Sequence, residues 1–271
     1  MKIIKKILIY IVLIGLGLLA IAPFVWTLHT AFILEDLNIN KGLLSPDKYG
    51  FANFVYIFTH SLVFRWTINS IVTTLIITVA NLLFNSMAGY ALARYEFRGK
   101  KIIFFYVLGT MMIPTQIIMI PIYLQISRFG MVDSYAGLIV PFLINPFGVF
   151  LMRQFYLGFT KEIEEAGKMD GLSNLGVFFQ IALPLAKSAI LTQAIFIFVW
   201  NWNSFTLPSI IVQSQEKFTL PLGIYQITNS QYIASVTKAM AATLITLLPT
   251  IVLYVVFQKY LVGSHVSSAV K

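Results

Sequence analysis

Six stretches of this chain carry no Asp, Glu, Lys or Arg and are long enough to cross a lipid bilayer. They run Ile7–Leu34, Trp66–Ala93, Ile102–Ser127, Ser134–Met152, Ser188–Gln215 and Ala239–Gln258, with 28, 28, 26, 19, 28 and 20 residues. A helix of about 20 apolar residues spans the hydrocarbon core, so each stretch predicts one crossing. Two further charge-free stretches, Tyr49–Phe64 and Phe218–Thr237, are too short or too polar and read as interfacial or extramembranous. The chain is 58% hydrophobic and 11% charged, with a mean hydropathy of +0.84. One soluble core of 271 residues does not hide that much apolar surface. The expected fold class is an all-α polytopic membrane protein with six transmembrane helices.

An even number of crossings puts both termini on one side, and Lys and Arg choose the side. With the N-terminus inside, the inner segments hold 13 basic residues and the outer segments hold 6, while the acidic residues split 5 and 5. Both termini are therefore expected to be cytoplasmic. The net charge of +9 is mostly this topology signal. No clustered basic face suggests a nucleic-acid partner. A secretory signal ending near Ala20–Ala22 is an alternative for the N-terminus. The apolar run continuing through Trp26 to Ala31 is long for one. With no cysteine, disulfides and cysteine-metal sites are excluded.

The chain reads as one membrane domain, 1–271, without linker, low-complexity tract or internal repeat. The outer loop Glu35–Arg65 contains a Ser-Pro turn, then aromatics at Phe51, Phe54, Tyr56 and Phe58 that suit a short helix at headgroup level. Pro114, Pro121, Pro141, Pro146 and Pro208 lie in or near crossings. Each removes a backbone donor and can bend its helix.

Between the fourth and fifth crossings lies the polar string EAGKMDGLSNLGVFFQIALPLAKS, residues 165–188. Glu162, Glu164 and Glu165 fall in the first turn of a short helix, where carboxylates meet the positive dipole end. Ala166 and Gly167 are small enough for another backbone to approach. Asp170-Gly171 breaks the helix, because Gly171 takes φ > 0 without penalty. Ser173 or Asn174 can cap the next turn, Leu175–Ala182, and Pro184 marks entry to the fifth crossing. Two short helices at an angle are expected.

Glu165, Ala166, Asp170, Gly171, Phe178, Ile181, Leu183 and Pro184 follow the pattern E-A-A-x-x-D-G-A-x-x-x-x-x-F-x-x-I-x-L-P. The string thus resembles the coupling loop of ABC-importer permeases of the carbohydrate (maltose/oligosaccharide) type. Gly167 departs from the family's Ala, a mild loss of helix propensity. The resemblance covers nearly the whole chain. NSIVTTLIITVANLLFNSMAGYALARYEFRGKK looks like the second crossing of such permeases. IPTQIIMIPIYLQISRFGMVDSYAGLIVP matches their third crossing and its turn, with Gly130, Asp133, Ser134 and Pro141 in place. QKYLVGSHVSSAVK resembles their ending, with departures from Ser264 to Ser268. The resemblance implies a family core over 66–260 and a cytoplasmic coupling loop over 158–185. It implies that Glu164, Glu165, Ala166, Gly167, Asp170 and Gly171 meet the ATPase. It also implies a second homologous permease, two ATPase subunits and an extracytoplasmic sugar-binding protein as partners, in the cell membrane of a bacterium. The chain has no G-x-x-x-x-G-K-[ST] loop, so it is not expected to be an enzyme or to bind a cofactor. ATP and Mg would belong to the partner.

FVWNWNSFTLP, residues 198–208, resembles the family segment W-N-D-F-x-x-P, with Ser204 in place of Asp. Indole faces and amides suit a neutral sugar. The candidate substrate path is Trp202, Asn203, Asn201, Asn85 and Asn145, with Asn81 and Gln193 as further intramembrane amides. For each, hydrogen bonding between neighbouring helices is the competing reading, and for any single residue it carries more weight than ligand contact. No metal site is expected. Other readings are the same architecture for glycerol phosphate or a polyol, an ion-coupled secondary transporter and, remotely, a scaffold. The second would usually show intramembrane charge or inverted repeats.

Overall fold

The computed structural model describes residues 2–34, 49–229 and 235–266. The Ser-Pro turn of the outer loop and residues 267–271 of the C-terminal match lie outside the described residues. Fourteen α-helices follow one another among the described residues: α1 (Lys2–Ala31), α2 (Ala52–His60), α3 (Val63–Arg94), α4 (Lys100–Met111), α5 (Thr115–Arg128), α6 (Tyr135–Ile139), α7 (Pro146–Leu157), α8 (Lys161–Met169), α9 (Asn174–Val177), α10 (Leu183–Leu185), α11 (Lys187–Trp202), α12 (Thr206–Ile211), α13 (Leu220–Asn229) and α14 (Val236–Val266). No strand occurs among them beyond one isolated bridge, Ile33 to Tyr49.

Four stretches are long and apolar enough to cross a membrane: Ile4–Ala31, Val63–Arg94, Tyr135–Leu157 and Val236–Val256. The count becomes 6 when two bent pairs are each taken as one span. One is α4 with α5, bent by 108°, and the other is 174–185 with α11, bent by 77°. The third charge-free stretch is therefore not one straight helix. Pro114 stands at the N-cap of α5 with extended ψ of 132°, where it cannot continue α4. The fifth stretch is also shorter as a helix than its apolar run. α11 stops at Trp202, and 203–205 separate it from α12.

The chain divides into two compact units. The first holds 1–64 and 223–249. There Asn53 donates to the carbonyls of Ala31 (3.1 Å) and Ile33 (2.7 Å), fixing the chain end of α1 to the start of α2. Phe32, Phe51 and Phe54 pack with ring centroids 5.1 to 6.1 Å apart. The short helix expected from the aromatic segment is α2, which carries Phe54, Tyr56 and Phe58.

The second unit holds 65–222 and 250–271, and α3 organises it. Its buried face reads Asn69, Ser70, Thr73, Thr74, Thr78, Asn81, Asn85, Ser86. Its exposed face reads Ile68, Ile71, Val72, Leu75, Ile76, Val79. This inverts the polarity of a helix in water. Lipid solvates the apolar face, while hydroxyls and amides must find partners inside the protein. Several do so at one end. Asn69 donates to the carbonyls of Glu216 (2.8 Å) and Phe218 (2.9 Å) and accepts from the Tyr135 hydroxyl (2.9 Å). Trp66 Nε1 donates to Gln215 O at 2.7 Å, and Leu220 N to Ser70 Oγ at 2.7 Å.

Asp133 completes this end. It takes φ of 52°, and its carboxylate accepts from Ser214 Oγ, from the backbone N–H groups of Ser214 (2.9 Å) and Gln213 (3.0 Å), and from Lys217 Nζ (3.0 Å). The Ser214 hydroxyl, the two backbone donors and Lys217 together hold its carboxyl well below the usual aspartate range. A depressed pKa means that the charged knot persists as pH falls past the point where an unfolded aspartate takes up its proton. The irregular 212–219 segment is thereby held to α3 and to the turn before α6.

Candidate functional site

The 161–185 segment forms a helical hairpin. α8 starts after Thr160 and ends on Gly171, whose φ is +88°. Gly171 N donates to Lys168 O and Leu172 N to Gly167 O, both at 3.0 Å. This paired ending satisfies the last carbonyls and requires a left-handed residue, which explains the glycine. Ser173 then caps α9, its hydroxyl accepting from Gly176 N at 3.2 Å. Between α9 and α10, Phe178–Ala182 wind as a π-helix. Pro184 follows and has no N–H to offer the preceding turn. The chain turns sharply at Ala186 into α11.

The candidate coupling residues separate by face. Glu165, Ala166, Asp170 and Gly171 are exposed, together with Met169 and Leu175. Gly167 is buried, and a Cβ there would run into Ile181 Cδ1 and meet Leu172 Cδ1 at 3.4 Å. Its role is thus more than a loss of helix propensity: Ile181 occupies the space that a side chain would need. Glu164 turns inward. Its Oε1 accepts from Arg94 Nε at 2.7 Å and its Oε2 from the Tyr90 hydroxyl at 3.0 Å. Arg94 also donates to Phe159 O at 3.1 Å. Tyr90, Ala93, Met152, Tyr156, Phe178, Ala182, Ala186 and Ala189 form one apolar cluster against which the hairpin rests.

The candidate path residues are placed differently from one another. Asn85 is fully buried. It donates to Asn81 Oδ1 at 3.1 Å and accepts from the backbone N–H of Asn145 at 3.0 Å. Asn145 caps α7, its side chain accepting from Gly148 N at 3.2 Å. Asn81 donates to Phe142 O at 2.5 Å. These amides join α3 to the start of α7. Gln193 of α11 is buried beside Gly148 and has no hydrogen-bond partner among the described residues. Trp202 is enclosed, at 1% exposure, its ring parallel to Phe198 with centroids 5.9 Å apart. Asn203 is exposed and donates to Val199 O at 2.8 Å, while half-buried Asn201 donates to Ile197 O at 2.8 Å. The indole facing outward on α11 is Trp200, at 68% exposure. Among the described residues no cluster of His, Cys, Asp and Glu suits a metal ion.

An all-helical chain with several long apolar helices, polar groups turned inward and a polar hairpin between two of them has the build of a multi-pass membrane transport component. Residues 85–264 match the family described as binding-protein-dependent transport system inner membrane component, and the chain belongs to that family. The arabinooligosaccharides transport system permease protein AraQ of Bacillus subtilis is 36% identical over 239 residues, covering 88% of this chain and 85% of that one. The trehalose transport system permease protein SugB of Mycobacterium tuberculosis is 30% identical over 255 residues, covering 93% of each. A crystal structure of a bacterial ABC transporter involved in import of the acidic polysaccharide alginate contains a chain with a TM-score of 0.82. That chain is 25% identical, with 95% of this chain and 96% of that one covered.

Proposed function

We propose that this chain is the membrane-spanning permease subunit of an ATP-driven importer that moves a sugar or oligosaccharide into the cell. The observation that carries the substrate class is the set of relatives. Those matched over most of their length are named for arabinooligosaccharides and trehalose, and the similar structure for alginate. The chain acts as one permease domain over 1–271, with its core in 66–260 and both termini cytoplasmic. Its partners are a second homologous permease, two ATPase subunits and an extracytoplasmic sugar-binding protein. It holds no cofactor of its own, and ATP and Mg belong to the ATPases. The segment 158–185 is the coupling loop. Support for docking there comes from Met169 at 88% and Leu175 at 61% exposure beside the charges of Glu165 and Asp170. Apolar side chains of that size on a polar hairpin suit a protein partner. Purified alone in vesicles, the subunit should neither bind ATP nor take up sugar, and adding all partners should restore uptake. Ion-driven uptake by the isolated chain would overturn this reading.

The substrate path runs past Asn201 on α11 and Asn203 at its C-cap, with Trp202, Asn85 and Asn145 setting its walls. Two substitutions should behave differently. Trp202→Ala removes a buried indole and costs about 3–5 kcal/mol of packing, so assembled subunit should be lost. Asn203→Ala touches an exposed amide and should leave assembly intact. Uptake should then fall about two- to tenfold, the equivalent of one hydrogen bond. Purification yield and uptake across a sugar panel are the measurements. Unchanged uptake of every sugar by Asn203→Ala would remove that residue from the path.

A further inference from the structure

The two glutamates that open the hairpin, Glu164 and Glu165, are neighbours in sequence and point different ways. Resting on the coupling-loop reading above, we infer that Arg94, Tyr90 and Glu164 form a latch. It makes α8 and the inner end of α3 move as one body, so that Glu164 is a positioning residue and Glu165 a docking residue. Among the described residues, three hydrogen bonds tie α3 to the 159–169 segment through these groups: Arg94 Nε and the Tyr90 hydroxyl donate to Glu164, and Arg94 Nη2 donates to Phe159 O. The ion pair is shielded, with side-chain exposures of 5% for Arg94 and 13% for Glu164. Geometry also matches the helix ends. Arg94 is the last residue of α3 and Glu164 lies in the first turn of α8, so each charge faces the dipole end that favours it. Tyr90 is pinned in turn, edge-on to Tyr156 at 5.2 Å and against Phe178 at 5.3 Å.

The latch continues into the membrane. α3 is one unbroken helix from Arg94 back to Asn85 and Asn81, which hold the backbone of Asn145 and Phe142 at the start of α7. A displacement of α8 is thus handed along α3 to the candidate path, where the apolar contacts of Phe178 and Ile181 alone would let α8 slide.

The test uses the complete importer in proteoliposomes, measuring retained ATPase, ATP hydrolysis and sugar uptake. Glu164→Gln should keep the ATPase and its hydrolysis while uptake falls roughly tenfold, the range of a typical coupling energy. Glu165→Gln should instead lose the ATPase. The double variant Arg94→Glu with Glu164→Arg should recover part of the uptake that each single change removes; recovery is partial because the swapped charges oppose both helix dipoles. Because the chain has no cysteine of its own, an Arg94→Cys, Glu164→Cys pair bridged by a short bifunctional thiol reagent offers a second restoration, independent of charge. Should the single variants fail to accumulate, recovery of folded, transporting protein by the swap supports the latch, and its failure refutes it. Loss of ATPase by Glu164→Gln to the same degree as by Glu165→Gln would make Glu164 a docking residue and overturn the inference. So would a deficit that neither swap nor bridge repairs. If Glu165→Gln and Gly171→Leu both retain the ATPase and full uptake, the docking reading itself fails, and the swap still decides the latch.

Discussion

A Gly89→Leu variant is expected to reach the membrane and fail to pack there. A Cβ at this position would stand 2.7 Å from Met152 Cβ, 2.8 Å from Arg153 N and 3.0 Å from Met152 C. Carbon atoms in favourable contact lie about 3.5–4.0 Å apart. Two of the three neighbours are backbone atoms, so relief requires α7 to move away from α3. That shift would strain the Asn145 N–H to Asn85 bond, the Arg153 Nε to Leu92 O bond at 3.3 Å and the Tyr90–Tyr156 contact together. Even Gly89→Ala overpacks the crossing, at about 1–3 kcal/mol, or a fall of roughly 3–10 °C in melting temperature. For Leu the loss should be complete, read as no monodisperse subunit after solubilisation and no uptake. Gly109→Leu is the control, since nothing lies within 4 Å of a Cβ there. Equal melting and uptake for the two leucine variants would show that the α3–α7 approach is not tight.

Much of this architecture was legible before any coordinates. Charge-free length marked the apolar stretches, and the Asn, Ser and Thr of α3 recur at helical spacing, which is enough to place them on one face. The hairpin was legible in detail because its signals are local: Gly171 for a left-handed turn, Ser173 for a cap, Pro184 for the entry to α11. What escaped was set by contacts distant in sequence or by backbone geometry. Hydropathy does not register the 108° bend at Pro114, because the residues on both sides are equally apolar. The π-helical Phe178–Ala182 has no compositional mark. Glu164 and Glu165 differ only by about 100° around the helix, and the difference acquires meaning from Arg94, 70 residues earlier. Gly89 and Gly148 look like ordinary membrane glycines until the opposing helix is placed. Likewise, the Trp202 indole named for the substrate path is enclosed, because α11 packs on its Phe198–Trp202 side.

Gly171→Leu should leave the subunit folded and inserted while uptake disappears. The residue sits at φ +88°, and nothing lies within 4 Å of an added Cβ. A Cβ there meets no neighbour in its own chain, so the main internal cost expected of a leucine is the left-handed backbone, about 1–2 kcal/mol. That is too little to unfold a well-packed unit, and α8 retains its latch to Arg94 and its contact with Ile181. The side chain would add bulk to the exposed tip of the hairpin, the face on which the proposed ATPase groove would close. Steric exclusion from that groove should abolish ATPase retention and uptake together, with yield and melting temperature close to those of the parent. Backbone strain and exclusion are separable by a second variant. Asn tolerates the left-handed region far better than Leu, so Gly171→Asn carries a side chain with little strain. If exclusion governs, Asn should also impair coupling, by an amount between those of Gly and Leu. Should Gly171→Leu retain ATPase and transport normally, the tip of the hairpin is free of any partner and the coupling assignment of 158–185 falls. If instead Leu destroys the fold while Asn transports fully, the glycine serves the turn alone. The docking face would then have to lie on α8, at Glu165 and Met169.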